Sequence, residues 1–257
     1  MTKVKDIISE IEKIAPLSLA EDFDNVGLLL GDDEAEVKKV LLCLDADENT
    51  ANEAAVKGAD MIISHHPLIF HPLKDLDFSK SAGRCMKTLI KSDIAVYSAH
   101  TNMDIAKGGL NDLFCQKLSL NAIGDLAYSD KEISCGRICE GDYKLSELVL
   151  KVKEAFCLPY VRYAGDDKKQ IRKIAVCSGS GRGLTDDAIK RGADVYITGD
   201  LTYSDIRNLS ENGVAYIEIS HFDSEISVTE IFKEIIERAF SEVDILISEE
   251  KNIIKTV

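Results

Sequence analysis

The chain has 257 residues, enough for one large domain or two small ones with a substantial apolar core. A net charge of −14, spread without any run of like charge, disfavours nucleic acid as a partner. The N-terminal MTKVKDIISE lacks an apolar leader, no apolar run approaches the roughly 18 residues of a membrane span, and seven scattered cysteines read as reduced thiols. The expectation is a cytoplasmic protein without disulfides or a membrane partner.

The first element is a helix, because Val4, Ile7, Ile8, Ile11 and Ile14 follow the 3.6-residue period, with Thr2 as a cap and Pro16 beyond the end. A turn-rich EDFDNVGLLLGD follows. From Lys39 onward, short aliphatic runs alternate with helical patterns, giving strands over Val40 to Leu44, Met61 to Ser64, Ile94 to Ser98, Ile174 to Cys177, Val195 to Thr198 and Val214 to Ile219. Between the first three and the last three lies a segment with a strand over Glu132 to Ile138, a helix over Leu145 to Cys157 and a short further strand. A helix over Val228 to Phe240 and an apolar DILIS close the chain. This rhythm predicts an α/β fold of mostly parallel sheets flanked by helices.

The two sets of strands are copies of one another. KKVLLCLDADENTANEAAVKGADMIISHH from Lys38 aligns without a gap to RKIAVCSGSGRGLTDDAIKRGADVYITGD from Arg172, an offset of 172 − 38 = 134. Lys39, Cys43, Ala54, Gly58, Ala59, Asp60 and Ile63 recur as Lys173, Cys177, Ala188, Gly192, Ala193, Asp194 and Ile197. One strand further, AVYSAHTNMD aligns to YIEISHFDSE at 221 − 100 = 121, which matches His100 to His221 and Asp104 to Glu225. The predicted organisation is a first α/β half over 1–125, with 226–257 packing back on it, and a second half over 126–225.

Four of the five histidines end apolar runs: His65 and His66, His100, and His221. His100 and His221 each carry a carboxylate four residues on, Asp104 and Glu225, one helical turn away and so on the same face. Two such pairs and a histidine doublet make a site for two divalent ions, and mixed imidazole and carboxylate donors suit Zn, Fe, Mn or Ni. Alternate residues of a straight strand face opposite ways, and Pro67 is expected to end the strand at the doublet so that both rings converge. His71 follows no pattern and is expected in a loop.

Asp45 and Asp47 read equally as carboxylates orienting ligand histidines or as helix caps. In CSGSGRGLTDD, backbone amides at the start of a helix could cradle an anion, but the glycines match neither common phosphate-binding pattern, and a tight turn explains them as well. Cys135 and Cys139 bracket three residues without a second thiol or imidazole pair, so they make an incomplete zinc motif.

The set EDFDNVGLLLGD, ISHHPLIF, SAHTNMDIAKGGLN, YITGD and SHFDSE resembles the NIF-three-like family, the type 2 GTP cyclohydrolase I homologues, over nearly the whole chain. That resemblance implies a duplicated α/β fold, a homohexameric ring and a dinuclear centre with His65, His66, Asp104, His221 and Glu225 as ligands and Glu225 as bridge. Phe23 stands where many members have Trp, Ser220 where Gly is common, and Ser204 where His is frequent.

Two functions are open at this point. One is a metal-dependent hydrolase in which His100 or Asn102 orients ligands and Gly179, Gly181 and Arg182 receive an anionic small-molecule substrate. The other is a noncatalytic protein that stores or delivers metal or serves as an interaction scaffold.

Overall fold

The computed structural model describes residues 1–127 and 134–255. In chain order the elements begin with α1 (Val4–Ile14), β1 (Gly27–Leu30), β2 (Lys39–Asp45), α2 (Glu48–Lys57), β3 (Met61–His66), α3 (Ser81–Lys91), β4 (Ala95–Ser98) and α4 (Thr101–Ile105). Next come α5 (Leu110–Lys117), β5 (Asn121–Asp125), β6 (Arg137–Lys144), α6 (Leu145–Ala155), β7 (Arg162–Ala164) and β8 (Gln170–Ser180). The remainder is α7 (Thr185–Lys190), β9 (Val195–Gly199), α8 (Tyr203–Glu211), β10 (Ala215–Glu218), α9 (His221–Glu225), α10 (Val228–Ala239) and β11 (Asp244–Ile247). No helix among the described residues is long and apolar enough to cross a membrane.

These elements form two compact units, Met1–Ala106 with Val228–Val257, and Lys107–Ser227. The boundary therefore falls after Ala106 rather than near residue 125. The reason is burial: Phe114, Cys115, Leu118 and Leu120 belong to the same core as Ile174, Val176 and Ile197 of the second sheet. Residues 132–133 of the strand expected over Glu132 to Ile138 lie outside the described residues, and β6 starts at Arg137.

In the first unit the sheet order is β1-β4-β3-β2-β11, with β11, β2, β3 and β4 parallel and β1 antiparallel at the edge. Leu41, Cys43, Ile62 and Val96 pack against Ala51 and Ala54 of α2 and Cys85 and Leu89 of α3. On α1, Val4, Ile7 and Ile11 are buried, and α10 packs against both α1 and β2. Each fully buried aliphatic side chain of this kind contributes about 1.5–3 kcal/mol relative to exposure. Thr2 does not cap α1: its hydroxyl donates to Glu242, while the Asp6 carboxylate accepts from Lys3 N at 2.9 Å.

In the second unit the order is β5-β6-β8-β9-β10-β7. Only β8, β9 and β10 run parallel, because the segment between the copies adds β5, β6 and β7 as antiparallel neighbours. Strand alternation divides the core. Ile174 and Val176 face α5 and α6, whereas Ala175 and Cys177 lie in a second cluster with Ala188 and Leu209.

The duplication extends to individual hydrogen bonds. Asp60 accepts from Lys38 N and Lys39 N, and Asp194 accepts from Arg172 N and Lys173 N, all at 2.8–2.9 Å. Lys39 Nζ donates to Lys57 O as Lys173 Nζ does to Arg191 O. The third strand corrects the sequence alignment. Ser64 pairs with Ser98 and Thr198 with Glu218, so the copies correspond there at 218 − 98 = 120, one residue from the 121 that matches the histidines. Helices α4 and α9 keep the backbone register, which places His100 opposite Ser220 and Asp104 opposite Ser224. His100 and His221, and Asp104 and Glu225, are therefore not structural equivalents.

Candidate metal centre

In a parallel sheet, ligands gather outside the carboxyl ends of the strands. The first unit places His65 and His66 at the end of β3 and His100 two residues beyond β4. Strand β3 does not stop at Ser64: it continues to His66, which pairs with Asp45. Pairing with β4 ends at Ser98, however, and Ser64 Oγ donates to His66 O at 2.9 Å, drawing in the end of the strand. The rings of His65, His66 and His100 accordingly lie 5.2–5.5 Å apart, centroid to centroid. Each offers a nitrogen, and these three nitrogens all lie within 4.8 Å of one another.

Each ring is oriented through Nδ1. His65 Nδ1 donates to Ala99 O at 2.8 Å, His66 Nδ1 to Asp45 Oδ1 at 2.8 Å, and His100 Nδ1 to Asp24 Oδ1 at 2.9 Å. A carbonyl or carboxylate oxygen can only accept, so Nδ1 bears the proton and Nε2 of the neutral ring bears the lone pair. This arrangement is the usual one behind a metal-ligating histidine. Asp45 thus resolves as an orienting carboxylate, itself held by Glu250, which accepts from Asp45 N at 3.1 Å. Asp47 resolves as the cap of α2, accepting from Thr50 N at 2.9 Å.

Burial alone would raise the Asp24 carboxyl, but hydrogen bonds from His100 and Thr101 outweigh it and hold the group well below the usual carboxylate range. Asp24 is therefore an anion.

The fully buried His65 presents Nε2 3.6 Å from Asp104 Oδ1. That is too long for a hydrogen bond. It suits two donors on one ion, which stand roughly 3.4 Å apart in a tetrahedral shell with bonds near 2.1 Å.

The second unit carries its own pair. His221 Nδ1 donates to Asp200 Oδ2 at 2.7 Å, and His221 Nε2 lies 2.9 Å from Glu225 Oε2. Both ring nitrogens face carboxylates, so a proton or a metal ion must stand between Nε2 and Glu225. Asp200 holds its position in a left-handed backbone conformation, φ 57°, sparsely populated by residues other than glycine.

Gly179 explains how Glu225 can be 3% exposed beside this ring. Its φ is +59°, and a Cβ would run into Glu225 Oε1 and reach 3.2 Å from His221 Nε2. Its amide donates to Ser224 Oγ at 2.9 Å, and that of Gly181 to Thr198 Oγ1 at 3.0 Å. Those amides are therefore engaged within the protein, and the glycines serve close approach rather than an anion cradle. Arg182 is 3.2 Å from Asp205 and largely exposed.

Two other expectations change. Asn102 is buried with Nδ2 donating to Ala15 O at 2.7 Å, so it ties α4 to the end of α1 and does not orient a histidine. His100, expected as an orienting residue, offers a ligand atom of its own. His71 is exposed in the loop after β3 and stacks edge-on against Phe70 at 4.8 Å. Cys135 and Cys139 approach Cys177 and Cys115, at 4.0 and 3.2 Å, rather than each other. The sequence reading missed Asp24 and Asp200 as orienting groups, although the alignment of Asp200 with His66 was a signal that position 200 borders the site.

A family model described as Duf34/NIF3 (NGG1p interacting factor 3) matches residues 2–253. The chain belongs to this family. A Clostridium perfringens relative called "GTP cyclohydrolase 1 type 2 homolog" is 42% identical, covering 96% of this chain and 97% of that one. Among solved structures, "Reduced HcgD from Methanocaldococcus jannaschii" matches with a TM-score of 0.84 and 30% identity over 97% of this chain and 98% of that one. A Bacillus cereus protein related to NIF3 matches with a TM-score of 0.90 over 100% and 99%, and at 24% identity it shows the fold alone.

In this DUF34/NIF3 chain, Gly179→Ala is expected to destabilise by about 1–3 kcal/mol from the left-handed backbone alone. Displacement of Glu225 should add to that and weaken metal binding. Denaturant unfolding with and without metal would measure both, and a variant as stable and as metal-avid as wild type would contradict the close-approach role.

Proposed function

We propose that this protein binds two divalent ions per chain through His65, His66, Asp104, His221 and Glu225, with Glu225 as the bridge, and hydrolyses an anionic small molecule. His100 joins the donor set. The reading is carried by one observation: all four imidazoles have Nδ1 committed to an oxygen acceptor, which turns Nε2 toward the ligand position, and buried carboxylates stand beside two of them. The donor mix suits Zn, Fe, Mn or Ni.

Ions bound at such a centre supply Lewis acidity and activate water near neutral pH. The protein's part is to fix the ligands. Asp45, Asp24 and Asp200 lock the rings by their Nδ1 bonds, and Gly179 admits the Glu225 carboxylate. Hydrolysis is the reading that the relatives' cyclohydrolase name supports.

A noncatalytic role in metal storage or delivery gains from one finding, the engagement of the Gly179 and Gly181 amides, which removes an anion cradle. Elemental analysis of protein purified without added metal, then a substrate screen on loaded and chelator-stripped protein, separates the readings. Metal-dependent turnover supports the hydrolase; full loading with no turnover across phosphate esters and cyclic amides favours storage.

We further propose a homohexamer, in line with the family resemblance. For a 28.3 kDa chain, light scattering on a sizing column is expected to give about 170 kDa. A monomer at micromolar concentration would overturn this.

A further inference from the structure

Two loops beside the imidazole cluster each expose a phenylalanine. Phe23 is 67% and Phe70 38% exposed, and their rings lie 6.5 Å apart at 58°. Singly exposed apolar side chains are ordinary, whereas here two exposed rings meet each other next to a polar cluster.

Both loops are tied to that cluster. Phe23 precedes Asp24, which accepts from His100 Nδ1 and from the backbone and hydroxyl of Thr101. Phe70 lies four residues beyond His66, and its ring is 6.2 Å from that of His100 at 81°. Asn25 Nδ2 donates to Ile69 O, joining one loop to the other. The two rings are thus held in place before anything binds, which spares a ligand the cost of ordering them.

We infer that Phe23 and Phe70 form a ring-binding subsite, so that the molecule taken at this centre carries a planar aromatic or heteroaromatic ring next to its metal-binding oxygens. The inference rests on the metal reading above. A third ring can meet two tilted rings at the roughly 4.5–7 Å centroid separations that aromatic pairs prefer, and it gains more there than a saturated ring of equal area. The subsite selects the ring, while the metal-binding oxygens fix which end of the molecule enters.

The test uses full-length protein at its measured metal content, titrated calorimetrically with methyl, cyclohexyl and phenyl phosphate. Phenyl phosphate is expected to bind about tenfold more tightly than methyl phosphate, with cyclohexyl phosphate between them. Phe23→Ala and Phe70→Ala should each cut that ratio to about threefold or less, with metal content and methyl phosphate affinity unchanged, and Phe70→Tyr should keep it.

Equal affinity for phenyl and methyl phosphate, or cyclohexyl matching phenyl, overturns the inference. A changed oligomeric mass in either alanine variant also overturns it, because the rings would then be an interface between copies. If wild type holds metal and binds methyl phosphate without discriminating, only this inference fails; if it holds no metal, the metal reading fails and the inference with it.

Discussion

Replacing His65 and His66 together with alanine is expected to remove most of the metal from the purified protein. The doublet supplies two lone-pair nitrogens within 4.8 Å of each other and of His100, and no other pair of adjacent residues among those described offers this. Elemental analysis of wild type should approach two ions per chain, and the double variant should fall well below one.

Thermal unfolding gives an independent reading. At 100 times the dissociation constant, metal stabilises a single-site protein by about 2.7 kcal/mol, and the variant should lose that metal-dependent shift. Loss of the His65 bond to Ala99 O leaves a buried carbonyl short of a partner and costs about 1–3 kcal/mol even without metal. His66→Ala alone separates the two effects, since it keeps that bond. If reconstituted wild type never exceeds one ion per chain, the two-ion proposal is wrong.

Glu225→Gln is expected to lower occupancy of both ions, whereas Asp104→Asn should chiefly empty one. The glutamate reaches one methylene further and can span two ions, while the aspartate more readily serves one. The two carboxylates also sit differently: Glu225 Oε2 is 2.9 Å from His221 Nε2, and Asp104 Oδ1 is 3.6 Å from His65 Nε2. Each substitution removes a negative charge that offsets the metal, so both variants should bind more weakly. A metal titration followed by elemental analysis measures the loading, with circular dichroism as the check on folding. Should Glu225→Gln keep two ions while Asp104→Asn loses both, the bridging role passes to Asp104.

The strands carrying the site were legible because their signal is local. Val40 to Leu44, Met61 to Ser64 and Val195 to Thr198 are aliphatic runs bounded by turn residues, and all lie within strands of the structure. The 134-residue repeat was legible because Asp60 and Asp194, or Lys39 and Lys173, are retained for bonds that each copy makes within itself. By contrast, β1 and β5 are short edge strands, β1 paired with the distant β4 and β5 with the next strand β6, and GLLL and NAIGD show no alternation to announce them. The match of His100 to His221 failed for a related reason. Residue identity favours 121, but strand pairing is fixed by backbone hydrogen bonds, and these hold 120 through α4 and α9.

By itself, then, the sequence determined the α/β class, the duplication and the histidines and carboxylates at strand ends, since all three follow from periodicity and residue type over a few tens of residues. Tertiary structure alone decided what each side chain does. Asp24 reaches His100 across 76 residues, and Asn102 spends its amide on Ala15 across 87. Gly179 is required by Glu225, 46 residues further on, whose carboxylate occupies the space of a Cβ. Hydrogen-bond partners and close approaches of this kind depend on which segments the sheet brings side by side, and no local pattern of apolar and polar residues encodes that.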